Sequence, residues 1–236
     1  MIDVVLAWSG GKDSALALSA LGADRRYRVV ALLTTLTREY DRVSIHGVRR
    51  AVLEAQTAAL ALPLIEVSIS AGADNADYEA AFGQALRSAR TRRPGLRHIA
   101  FGDLFLADVR AYREALLAPL GWTGVFPLWG EDTAALARRF IRAGYRAVLT
   151  CVDTTLLGPE FAGREFDDAL LTDLPESVDP CGERGEFHSC VYAGPLFRRA
   201  LPLVAGERVR REGRFEYCDV VLAPTGDGSP VYCRSS

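Results

Sequence analysis

IDVVLAWSGGKDSALALSAL, residues 2–21, decides how the N-terminal half of this chain is read. Residues 2–8 are apolar and partly β-branched, the composition of a strand buried on both faces of a parallel sheet. Residues 15–21 are Ala, Leu and Ser in helical composition, with Gly22 as a plausible stop. Between them lies Ser9-Gly10-Gly11-Lys12-Asp13-Ser14. It is too short for a GxxxxGK[ST] nucleotide loop and does not follow GxGxxG. Two glycines let the backbone curl so that successive amides face one anion, and the N-terminus of the following helix adds partial positive charge. Ser9 and Ser14 offer hydroxyls, Lys12 a full charge, and Asp13 a ligand for magnesium or an anchor for the turn. In an open α/β sheet such a turn stands outside the carboxyl end of its strand, where ligands bind. Of the 28 basic residues, all but Lys12 are arginine, so the one lysine sits inside this turn.

Outward from the turn, strand-like runs at residues 29–35, 64–69 and 98–101 alternate with helical stretches at 49–61, 74–89 and 108–117. The helix at 74–89 is the clearest, with Tyr78, Ala81, Phe82, Ala85, Leu86 and Ala89 on one stripe and Asp74 or Asn75 as cap. A short strand near 124–126, a helix over 131–143 and a strand over 145–152 follow. The alternation predicts an α/β fold with a doubly wound, mainly parallel sheet. After about residue 152 the chain is loop-rich and proline-punctuated, ending in a hairpin over 208–222 that turns at Glu212-Gly213. Residues 1–130 are therefore expected to form a nucleotide domain, and residues 131–236 a smaller C-terminal α+β substrate region.

Composition narrows the class. The 236 residues are 49% hydrophobic and 25% charged, with a net charge of −2, so neither disorder nor a global field for nucleic acid or anionic membrane is expected. The longest stretch without Asp, Glu, Lys or Arg, residues 115–130, contains Pro119, Gly121, Gly124 and Pro127 and does not read as a membrane span. No basic leader precedes the first apolar run, so no signal peptide is expected. Five cysteines without a CxxC pair argue against a disulfide framework and for a reducing, cytoplasmic compartment.

A second constellation is Asp179-Pro-Cys-Gly-Glu-Arg-Gly-Glu-Phe-His188. Glu183, Glu186 and His188 are close in sequence, and Gly182 and Gly185 permit tight turns. Such a group could bind an ammonium or amine, hold a metal or move a proton; a solvated acidic loop with one surface histidine is the alternative. Thr34 and Thr35 end the second strand and Gly102-Asp103 the fourth, both expected beside the phosphate turn. Asp103 could assist magnesium or substrate. His46 lies in a loop, as a contact to nucleotide or substrate or as a solvated histidine. Asp108, Arg110 and Arg113 are candidates for the substrate, the arginines for a carboxylate or phosphate. Cys181 is the one cysteine beside a site motif.

SGGKDS between strand and helix resembles the PP-loop, or N-type ATP pyrophosphatase, superfamily of the HUP fold. That resemblance implies ATP held by its β and γ phosphates with Mg²⁺, attack at the α-phosphorus, and AMP and pyrophosphate as products. Three blocks narrow it: Glu183 to His188 followed by Gly194-Pro195-Leu196-Phe197; Gly102-Asp103 running through Asp108 and Arg110 to Arg113-Glu114; and Pro127-Leu128-Trp129. Together they resemble the diphthine–ammonia ligase family. Asp103-Leu104, Val109-Arg110 and the Asp-Pro-Cys lead are similar to its bacterial-type branch, where archaeal and eukaryotic members differ.

The family resemblance implies an ATP-dependent ligase that adenylates a carboxylate, small or protein-bound, and passes it to ammonia or an amine. It implies Lys12, Asp13, Glu183, Glu186 and His188 as catalytic. Residues 9–14, Thr34, Thr35, Gly102 and Asp103 would bind the nucleotide, and His46, Asp108, Arg110 and Arg113 the substrate. Asp13 and Asp103 would hold Mg²⁺. A homodimer is compatible with it. Two rivals are a tRNA-modifying enzyme of the superfamily and a nucleotide-binding protein without turnover. The first normally uses a spaced cysteine pair, and the basic stretches at 90–93 and 208–214 are isolated, so nucleic acid is not an expected partner.

Overall fold

A computed structural model describes residues 1–223; the last part of the expected substrate region, residues 224–236 with Cys233, lies outside the described residues. Strand β1 (Ile2–Ala7) pairs in parallel with β2 (Tyr27–Thr37) on one side and with β5 (His98–Ala100) on the other. Strand β4 (Leu64–Ile69) extends the sheet beyond β2, and β6 (Thr123–Val125) extends it beyond β5. The parallel strands thus run β4-β2-β1-β5-β6, the doubly wound order in which direction of travel reverses between β1 and β5. A two-residue strand β3 (Arg42–Val43) returns antiparallel against the end of β2, past the point where β1 stops. The expected α/β class and parallel sheet are therefore observed.

The chain divides into two compact units. The first comprises Met1–Ser9, Asp13–Ser44 and Leu62–Glu131 and holds this sheet. Its core is built from Val5, Ala31, Leu33 and Val67 of the strands with Phe82, Leu86 and Ala89 of α3 (Asn75–Arg92) and Leu117 of α4 (Ala107–Leu117). These α3 residues are the stripe that the 3.6-residue period predicts, and burying Phe82 and Leu86 contributes roughly 1.5–3 kcal/mol each. Asp74 caps α3 by accepting from the Asp77 amide at 2.9 Å. Helix α1 (Lys12–Ala23) runs through Gly22 rather than stopping there. Nothing lies within 4 Å of where a Cβ would stand on Gly22, and its φ is not in the left-handed region, so the residue imposes no stop.

The second unit takes Gly10–Lys12, Ile45–Ala61 and the chain from Asp132 onward. Its sheet is antiparallel, in the order β8-β7-β10-β9. The strands are β7 (Arg146–Asp153), β8 (Phe187–Ala193), β9 (Leu203–Arg211) and β10 (Phe215–Leu222). The hairpin β9–β10 turns through the three residues Glu212, Gly213 and Arg214, and Glu212 and Gly213 both have positive φ, as tight hairpin turns often require. Strand β8 replaces part of the expected loop: FHSCVYA is buried nearly throughout, so it lacks the alternation that marks a half-exposed strand. Two further helices are α5 (Thr133–Arg142), capped by Asp132 and followed by Gly144 at φ 81°, and α6 (Asp168–Asp173). Helix α2 (Arg50–Leu60) lies between β2 and β4 in sequence yet belongs to this unit. No described helix is long and apolar enough to cross a membrane.

Candidate active site

In the first unit, β1 ends at the reversal of strand order and the chain runs on into Ser9 and the glycine turn. Trp8 continues the β1–β2 pairing by donating its amide to the Leu33 carbonyl. Thr34 is buried, and its hydroxyl donates to the Trp8 carbonyl at 2.6 Å. That hydroxyl ties β2 to the base of the turn. Thr35 is half-buried, and its carbonyl accepts from Ser44. The Ser9 and Ser14 hydroxyls lie 3.5 Å apart across the turn, and Asp13 is in the first turn of α1. Gly102, beyond β5, passes so close that a Cβ there would stand 3.0 Å from the Asp13 backbone. A side chain there would press on the start of α1, so glycine suits this close approach.

Asp103 follows, and both its oxygens accept from Arg113 of α4, at 2.5 and 3.0 Å. The Arg113 guanidinium also lies 4.3 Å from the Phe101 ring centre. Arg110, one turn earlier, pairs with Glu114 and stacks 4.7 Å from each of Phe126 and Trp129. Asp108 is exposed in the first turn of α4, where it complements the helix dipole. Among the described residues no group of three or more His, Cys, Asp or Glu is arranged to hold a metal. The Asp103 carboxylate is committed to Arg113.

In the second unit, Gly10 carries φ 81° and its carbonyl accepts from the Val191 amide of β8. The Lys12 amide donates to the Ser189 hydroxyl at 3.2 Å. Lys12 is buried, 2% exposed, and its ammonium donates to the Cys181 carbonyl. The Phe166 and Phe187 ring centres stand 5.8 and 5.4 Å from the same nitrogen. Within this unit, Lys12 and the 179–188 block therefore meet at the Cys181 carbonyl.

The block itself is a tight loop knit by two carboxylates. Asp179 Oδ1 accepts from the Cys181 amide at 2.8 Å, and Oδ2 accepts from the Thr133 hydroxyl at 2.8 Å. Buried Glu186 accepts from the Asp179 and Arg184 amides, each at 2.9 Å. Gly182, at φ 66°, leaves no room for a side chain, because a Cβ would meet the Phe187 carbonyl at 2.8 Å. Glu186 thus fixes the loop that presents the Cys181 carbonyl to Lys12, whereas Glu183 is half-buried beside it.

His188 and His46 complete the cluster, their ring centres 4.5 Å apart. Burial and then the Lys12 charge push the His188 pKa down to about 4. His46 is held well below the ordinary value by burial, then by His188 and Lys12. The Nδ1 of His46 is buried with no hydrogen-bond partner. Both imidazoles are therefore neutral at ordinary pH, each with one ring-nitrogen lone pair.

Comparison with known proteins bears on both units. The profile of the diphthamide synthase N-terminal domain matches residues 2–114, and that of the diphthamide synthase C-terminal domain matches residues 132–221. The chain belongs to the diphthamide synthase family. It is 27% identical over 221 residues to the diphthine–ammonia ligase of Schizosaccharomyces pombe, covering 85% of this chain and 36% of that protein. The chain thus spans about a third of the length of this curated relative. The N-terminal match takes in the phosphate turn, Thr34, Thr35, His46, Gly102, Asp103, Asp108, Arg110 and Arg113; the C-terminal match takes in Glu183, Glu186 and His188.

Sequence reasoning quoted Asp179 without giving it a role and missed Gln56, Thr133, Ser189 and the ring pair Phe166–Phe187. Asp179 carried a signal, since an Asp two residues before a glycine-punctuated turn is a ready acceptor for the amides ahead of it. Gln56 and Ser189 carried none, because their partners are 46 and 177 residues away.

Proposed function

We propose that this chain is an ATP-dependent, AMP-forming ligase that joins a carboxylate to ammonia or an amine; the name of its relative, diphthine–ammonia ligase, supports the ligase and ammonia parts of that reading. The observation that carries the reading is the Ser9–Ser14 turn at the reversal of strand order. Its lysine is buried and oriented by the carbonyl of a family-matched loop. The backbone amides of the turn and the N-terminus of α1 suit the β and γ phosphates of ATP. The Lys12 ammonium suits the charge that grows as the α–β bond breaks. Activation is needed because a carboxylate is a poor electrophile, whereas an acyl-adenylate releases AMP readily.

Half-buried Glu183 supplies a carboxylate suited to hold an ammonium, while Glu186 accepts from two backbone amides. Neutral His188 and His46 can each accept a hydrogen bond from an attacking amine through a ring nitrogen, but burial and the Lys12 charge make both weak bases. Arg110 suits the carboxylate substrate. Magnesium would be carried on the ATP phosphates and touched by Asp13; when bound, it neutralises phosphate charge. Asp103 would first have to release Arg113. Four described cysteines, Cys151, Cys181, Cys190 and Cys218, carry thiols rather than disulfides, in keeping with the cytoplasm.

The test is product analysis during turnover with ATP and a panel of carboxylates and ammonium. AMP and pyrophosphate should appear in equal amounts. ADP and inorganic phosphate in their place would overturn the reading.

A further inference from the structure

The side chain of Gln56 is fully buried on α2, a helix whose other inward residues include Val52, Leu53 and Ala59. Its Nε2 donates to the Gly10 carbonyl at 3.0 Å and to the Val191 carbonyl at 2.7 Å. The Val191 amide donates to the same Gly10 carbonyl at 2.8 Å. One carbonyl of the phosphate turn is thus held by a side chain from α2 and a backbone amide from β8. A carboxamide has two N–H protons, and both are used on carbonyls distant in sequence. Gly10 is shaped to this contact, because a Cβ on it would stand 2.7 Å from Gln56 Oε1.

The geometry has a consequence for the turn. The peptide bond is planar and trans, so a carbonyl pinned in one direction aims the next N–H in the opposite direction. Holding the Gly10 oxygen therefore sets the direction of the Gly11 N–H, one of the amides that an anion-binding turn offers. Gln56 is also costly to replace, since its loss takes one donor from the Val191 carbonyl and leaves the Gly10 carbonyl held by the Val191 amide alone.

We propose that Gln56 is a positioning residue for ATP: it orients the Gly10–Gly11 peptide so that the Gly11 amide points at the phosphates. This rests on the ATP reading above. In Gln56→Met the unbranched stem remains but both donors are gone. In Gln56→Glu a carboxylate faces two carbonyl oxygens.

The test is calorimetric binding of α,β-methylene-ATP to the full chain, with folding checked by circular dichroism. Both variants should bind at least about tenfold more weakly than wild type, the effect of about one lost hydrogen bond. Leu170→Ala, a core truncation in α6, controls for stability alone: it should lower Tm and leave the affinity unchanged. In wild type, the analogue should slow hydrogen exchange at the Gly11 amide, a measurement independent of any variant. Folded variants that bind as wild type does, or a Gly11 amide indifferent to the analogue, overturn the proposal and leave the ATP reading standing. Wild type that does not bind the analogue overturns both.

Discussion

Replacing Lys12 by methionine removes one charge and keeps the length of the stem. A unit charge about 4 Å from a phosphate oxygen, at an effective dielectric near 20, is worth about 4 kcal/mol. If half or more of that is gained only as the α–β bond breaks, the loss in kcat/KM is about 2–4 kcal/mol, roughly 30-fold to 10³-fold. Stability should respond differently. The variant loses the bond to the Cys181 carbonyl and the faces of Phe166 and Phe187. It also no longer buries an ammonium, so the two effects oppose and the net change should stay within about 2 kcal/mol. Pyrophosphate release at saturating and limiting ATP gives the first quantity, and thermal unfolding the second. A third readout is local. Lys12 contributes to the depressed pKa of His188, so its removal should raise that pKa from about 4 in an NMR titration. Lys12→Arg should also lose activity, because a planar guanidinium does not fit where the compact ammonium meets one carbonyl between two rings. Wild-type turnover in Lys12→Met or Lys12→Arg would refute the reasoning outright.

Glu186→Gln should act on stability before chemistry. An amide nitrogen in place of one oxygen must face either the Asp179 or the Arg184 amide, at a cost of about 1–3 kcal/mol in denaturant unfolding. Unchanged stability with lost turnover would instead make Glu186 a chemical participant. Thr34→Val should destabilise by about 1 kcal/mol through the loss of its bond to the Trp8 carbonyl and leave ATP affinity intact; a collapse of affinity in a folded variant would place the hydroxyl on the nucleotide. His188 makes stability pH-dependent. Its folded pKa, about 4, lies below the ordinary 6.5, so the unfolded chain binds more protons between these values. The contribution, up to roughly 3 kcal/mol, is present above about pH 6.5 and lost as pH falls towards 4. Unfolding of His188→Gln should show a flatter dependence over that window, and an equal slope would count against a buried neutral imidazole.

The parallel sheet was legible because local rules and tertiary demands agree there. Hydrophobic runs two-sidedly buried, helices with a 3.6-residue stripe such as Tyr78–Phe82–Leu86, and a glycine turn between strand and helix each carry their own short-range cause. The same holds for the hairpin turn at Glu212-Gly213, where only the turn chemistry is needed. The site was legible as two separate blocks, residues 9–14 and 179–188, and their residue types suggested their chemistry.

What only the tertiary structure decided are the pairings that close over long sequence distances. Nothing local to α2 says that Gln56 reaches Gly10, or that Lys12 meets the Cys181 carbonyl 169 residues away. The split between Glu183 and Glu186 is of the same kind. Two glutamates three residues apart look alike in sequence, yet one folds back onto the Asp179 and Arg184 amides. The physical reason is that a hydrogen bond or an ion pair depends on where two atoms stop, and that is set by the packing of whole elements. A strand or a capped helix depends on the few residues that form it, and those are written side by side in the chain.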